Sequence, residues 1–80
     1  MEDFLNLDND QLTELPEFPE SLMELWCNGN NITIDGELIK NLSKFSEVKI
    51  FIINDYRVYF TKNTIEFMNG DHSFEVEKIF

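Results

Sequence analysis

Leu5-Asn6-Leu7-Asp8-Asn9-Asp10-Gln11-Leu12 is answered twenty residues later by Leu25-Trp26-Cys27-Asn28-Gly29-Asn30-Asn31-Ile32. Leu5 falls on Leu25, Leu7 on Cys27, Asp10 on Asn30 and Leu12 on Ile32, all at one offset. Apolar residues two apart are the mark of a strand with one face buried, so Leu5 and Leu7 point inward and Asn6 and Asp8 to solvent. The same alternation turns Cys27 inward and Trp26 outward. The polar residue three places beyond the second apolar one stands where the strand turns away and open backbone groups need partners. Asn30 can donate and accept there. An ionised Asp10 can only accept, so the first rung is expected to be the weaker one.

Between the copies runs Leu12-Thr13-Glu14-Leu15-Pro16-Glu17-Phe18-Pro19-Glu20-Ser21-Leu22. Taken with the repeated strand motif, residues 4–34 resemble the short, proline-containing leucine-rich repeat of bacterial proteins, with Phe18 where the middle Leu usually stands. The resemblance implies parallel strands stacked rung on rung, with Pro16 and Pro19 holding an extended return segment on the convex side. One such unit cannot bury its own apolar face. About three are normally needed, with atypical ends as caps.

A third unit is expected to enter through a helix. Asp35 is a plausible N-cap ahead of Gly36, and Leu38, Ile39, Leu42 and Phe45 share one helical face. Lys40 and Lys44 fall late in the helix, where its dipole favours cations. The β-prone run Val48-Lys49-Ile50-Phe51-Ile52-Ile53 then reads as a third parallel strand. Aligning Leu25 with Ile50 turns Ile50 and Ile52 inward and Phe51 and Ile53 outward, so Phe51 joins Asn6 and Trp26 on the outer face. Three further strands follow as an antiparallel meander: Arg57–Phe60, Thr64–Met68 and Ser73–Glu77, with turns at Lys62-Asn63 and at Asn69-Gly70-Asp71-His72. The predicted fold is therefore α+β in a single domain, 1–80: miniature leucine-rich-repeat-like parallel strands in 4–34, a helix in 35–47 (about 36–45), and a β-meander cap in 48–80.

The chain is 80 residues long with a net charge of −10, and that charge is not spread evenly. Residues 1–39 hold ten acids and no Lys or Arg, whereas residues 40–80 hold six acids and six bases. So small a domain buries only roughly 60% of its unfolded surface and is marginally stable. Phosphate backbones and anionic membranes demand cations, so direct nucleic-acid or membrane binding is not expected, and a basic protein partner is. The single Cys27 allows no internal disulfide and suits a reducing cytoplasm. Met-Glu-Asp-Phe lacks the basic start of a signal peptide, and no apolar run reaches the roughly 20 residues that cross a bilayer.

Nothing in the sequence assembles a catalytic set, and no cofactor is implied. His72, the only His, sits in a polar turn beside Asp71 and is expected to be solvated. Cys27 is expected to pack as a small hydrophobe. Asp8 and Asp10 suggest the start of a calcium loop, but Thr13 occupies the place where that loop requires Gly. An enzyme is not expected.

The candidate binding residues are Asp8, Asp10, Glu14, Glu17, Glu20, Glu24, Trp26 and Phe51. Glu14, Glu17 and Glu20 recur every three residues, the turn of a polyproline helix, and would line up about 9 Å apart on one side. Trp26 is either an exposed anchor of the kind enriched at interfaces or is covered by Phe4 or the meander. In size, acidity and richness in Asn, Lys, Ile and Phe the chain resembles the small inhibitors of phages and mobile elements, such as anti-CRISPR and anti-restriction proteins. That resemblance implies an inhibitor of a basic nucleic-acid-binding enzyme or complex, a DNA mimic acting in the host bacterial cytoplasm. The alternative is a leucine-rich-repeat protein-interaction module working through an aromatic sheet face.

Overall fold

The computed structural model describes residues 3–46 and 49–80. Val48, at the head of the predicted third strand, and Glu47, at the end of the helical segment, lie outside the described residues. The chain runs β1 (Phe4–Asn6), β2 (Glu24–Cys27), α1 (Gly36–Leu42), β3 (Ile50–Ile53), β4 (Tyr56–Phe60), β5 (Thr64–Asn69) and β6 (His72–Glu77). All six strands form one sheet in sequence order. β1, β2 and β3 pair in parallel, and β3 to β6 are antiparallel. Among the described residues the architecture is thus α+β, one short helix on a six-stranded mixed sheet.

The twenty-residue offset of the sequence reappears as stacking. Leu5 pairs with Leu25 and Asn6 with Trp26. The match continues past the strands: Asn9 donates its backbone N–H to Asn28 O (2.8 Å), Asn31 to Leu12 O (3.1 Å) and Thr33 to Thr13 O (2.9 Å). Asn9 and Gly29, one offset apart, both take a left-handed backbone, with φ of 56° and 70°. The two coils therefore turn the same corner, and a Cβ on Gly29 would strike the Asn9 side chain.

The residue three beyond Cys27 joins the coils as its chemistry predicts. Asn30 Oδ1 accepts from the N–H groups of Asp10 (3.0 Å) and Leu12 (2.9 Å), and Nδ2 donates to Leu7 O (2.8 Å) and Asn28 O (3.2 Å). In the first coil the equivalent work falls to Asp8, whose Oδ1 accepts from Asn28 N–H (2.7 Å), while Asp10 contributes its backbone. Asn54 links the second coil to β3 from both sides: its Oδ1 accepts from Ile32 N–H (2.8 Å) and its Nδ2 donates to Ile32 O (2.7 Å).

Asp35 caps α1, its Oδ1 accepting from Leu38 N–H at 3.0 Å. The helix is shorter than the expected 36–45 because its end tightens. Ser43 N–H bonds Lys40 O and Phe45 N–H bonds Leu42 O, both three residues back, as 3₁₀ turns do. Leu38, Ile39, Leu42 and Phe45 remain buried against the sheet. Beside the helix lies the proline segment, held by its carbonyls: Asn41 Nδ2 donates to Pro16 O, Lys44 Nζ to Phe18 O and Lys49 Nζ to Glu20 O. Phe18 and Leu22 enter the same core. At the other end, the buried Lys78 donates its Nζ to Phe45 O at 2.6 Å. Burial pushes the Lys78 ammonium below its ordinary pKa.

The expected phase of β3 is wrong by one residue. Leu25 pairs with Phe51 and Trp26 with Ile52. Phe51 and Ile53 are fully buried, whereas Ile50 is 39% exposed. A one-residue slip turns every side chain of a strand to the opposite face, so the expected outward Phe51 is in fact the centre of the core. Its ring packs on Phe45 (4.9 Å between centroids) and on Phe60 (5.3 Å).

This arrangement separates the two aromatic residues singled out in the sequence. Phe51→Ala is expected to remove about 3–5 kcal/mol, enough to unfold so small a domain. Trp26→Ala should shift the urea midpoint little. Equal effects in equilibrium denaturation would contradict the observed register. Asn30→Asp, which keeps the shape but loses the donors, is expected to destabilise by about 2–3 kcal/mol.

Candidate protein-binding surfaces

The sheet has one covered face and one open face. α1 and the proline segment cover the first. On the second, the register sets two rows side by side. Phe4, Glu24 and Ile50 continue through Tyr59, Glu66 and Glu75. Asn6, Trp26, Ile52, Arg57, Met68 and Ser73 form the other. Phe4, Trp26, Ile50, Tyr59 and Met68 are each between 37% and 43% exposed. Scattered apolar surface residues need no explanation, but these share one face of the sheet.

Trp26 is fixed in place. Its Nε1 donates to Glu24 Oε2, and Phe4 meets its ring edge-on at 6.4 Å between centroids. Phe4 flanks the indole without covering it, which leaves Trp26 solvent-accessible. Arg57 lies over the Tyr59 ring, 5.1 Å from its centroid. Its Nε is buried and has no hydrogen-bond partner among the described residues. Ile50, Ile52, Arg57, Tyr59 and Met68 were not expected on this face. The two-residue turn Asn54-Asp55, with both residues left-handed, pairs Ile52 with Arg57, and a cation on the partner strand marks the solvent side. That was the signal in the sequence.

The other candidate acids lie elsewhere. Glu14, Glu17 and Glu20 are exposed along the proline segment, on the layer opposite Trp26. Glu14 and Glu17 line a groove of about 490 Å³ between that segment and α1, shared with Asp35, Glu37, Lys40 and Lys44. Asp10 is exposed at the corner of the first coil, and Asp8 is partly buried there by its bond to Asn28. Glu24 is the one candidate acid on the open face, where it holds Trp26. The eight candidate residues therefore form no single site. They divide into an acidic edge and an apolar face, and Phe51 belongs to neither.

His72 is exposed at the start of β6. Among the described residues no group of three or more His, Cys, Asp and Glu stands close enough to hold a metal ion. No described helix is long and apolar enough to cross a membrane. Comparison with protein-family models, with curated proteins and with solved structures gives no match.

Cys27 is fully buried. Desolvation pushes its thiol up, the nearby charges of Asp8 and Asp10 add to this, and a hydrogen bond from Asn30 Nδ2 (3.2 Å to Sγ) opposes them. A raised pKa and no access leave little thiolate, so Cys27 is expected to resist Ellman's reagent at pH 8 until the chain unfolds. Labelling as fast as a free thiol would place Cys27 outside the core.

Proposed function

We propose that the chain is a non-enzymatic acidic inhibitor that binds a basic nucleic-acid-binding protein or complex, as a DNA mimic of the anti-CRISPR or anti-restriction type. The observation that carries this reading is the proline segment. Its backbone carbonyls anchor it to Asn41, Lys44 and Lys49, while Glu14, Glu17 and Glu20 stay exposed. Carboxylates on an anchored segment that itself carries no Lys or Arg can compete with phosphates for the same cations, with Lys40 and Lys44 standing across the groove from Glu14 and Glu17. Such targets work in the bacterial cytoplasm. The two stacked coils support reading residues 4–34 as a miniature leucine-rich repeat used as scaffold, with no part in chemistry.

A second reading is favoured by the open sheet face. Trp26, Ile50, Tyr59 and Met68 give that face the exposed apolar side chains that a protein-interaction module uses, with Trp26 as anchor.

Pull-down from bacterial lysate, repeated across about 50–500 mM salt, distinguishes the two. The mimic predicts basic nucleic-acid-binding proteins captured at low salt, displaced by duplex DNA, and lost when Glu14, Glu17 and Glu20 are changed together to Gln. Capture insensitive to salt and abolished by Trp26→Ala would reject the mimic and leave the sheet face as the site.

A further inference from the structure

Among the described residues the sheet ends at β6. β6 pairs with β5 along its whole length, and among the described residues no strand or loop hydrogen-bonds to its other edge. Alternate residues of such an edge point both N–H and C=O outward, ready for another strand. The opposite edge, β1, is only three residues long, against six in β6.

Edges of this kind are normally blunted by Pro, by charged side chains, Lys above all, or by a bulge. β6, His72-Ser73-Phe74-Glu75-Val76-Glu77, has no Pro, no Lys and an unbroken register. Its charges are Glu75 and Glu77. Glu75 stands directly opposite Glu66 across the strand pair, an arrangement that is destabilising in itself. The strand-paired cation on that face, Arg57, lies two strands away over Tyr59. The edge therefore repels a second copy of this chain, which brings a net charge of −10, and attracts a cationic strand.

The other face of the strand adds an apolar requirement. Phe74 continues the core row of Phe51, Val58 and Phe67, stacked on Phe67 at 4.8 Å and 12°. Yet it is 38% exposed, because the row has no next member. A seventh strand would set an apolar side chain against Phe74 and a basic one against Glu75.

We propose that β6 docks an extended peptide segment of a partner protein by sheet addition, and that the segment alternates Lys or Arg with apolar residues. Backbone bonds supply the register, and the alternation supplies the specificity. This surface is separate from the acidic proline segment, so it stands whether or not the inhibitor reading does.

The test uses the intact chain and a peptide of about ten residues alternating Lys and Val, long enough to lie along a strand of this length. Two further peptides carry backbone N-methyl groups on one or the other alternate set of residues. In amide NMR titration, the largest shifts are expected from His72 to Glu77. One methylated peptide should bind like the parent and the other at least about tenfold more weakly, since only one set faces the strand. Glu75→Lys with Glu77→Lys should also weaken binding by about tenfold or more, without lowering the melting temperature. Equal binding of both methylated peptides, shifts centred on the proline segment, no binding at all, or dimerisation of the chain through β6 would each overturn the proposal. The methylated pair tests the wild-type chain, so the answer does not depend on the variant folding.

Discussion

The carboxamide of Asn30 is the joint on which the front half turns. It reaches backbone groups of both coils, at Leu7, Asp10, Leu12 and Asn28. Each coil buries too little apolar surface to stand alone. What makes two of them a unit is a side chain with both a donor and an acceptor, placed where parallel strands part and leave their backbones open. Asn54 repeats the arrangement one level on, against Ile32. Through these two amides the coil geometry of residues 4–34 is passed to β3, and through β3 to the meander.

Stacking coils under a sheet forces a division of surfaces. The return segment and the helix must lie on the face that Leu25 and Phe51 share, because that is where Phe18, Leu22 and Leu42 find burial. Whatever the return segment displays then points away from the open face. The acidic segment and the exposed Trp26 are consequently on opposite layers, and one flat partner cannot cover both. The two surfaces lie on opposite sides of the core that the sheet and its covering layer share.

Much of this was legible in the residues. The offset of twenty, the inward Leu25 and Cys27, the Asp35 cap, the parallel third strand and the order of the meander all follow from periodicity and turn chemistry. The phase of β3 did not, and the reason is specific. Ile50-Phe51-Ile52-Ile53 is apolar at every position, so alternation within the strand carries no information about its faces. Only its neighbours carry it: Arg57 opposite Ile52, and Leu25 opposite Phe51. The exposure of Glu14, Glu17 and Glu20 could be read from the proline spacing. The open apolar face could not, because it is assembled from five strands whose register is a property of the whole sheet.

The lysines have a consequence for anyone handling the molecule. Lys44, Lys49 and Lys78 point their ammonium groups at the carbonyls of Phe18, Glu20 and Phe45, and the last two of the three are buried. Lys40 and Lys62 are the exposed pair, one on the helix and one in the β4–β5 turn. Amine-reactive tags and surfaces will therefore find those two lysines first. Neither lies in the two rows of the open face, so a chain coupled through them keeps that face free, while exhaustive acylation would reach the three inner lysines and undo their bonds to Phe18, Glu20 and Phe45.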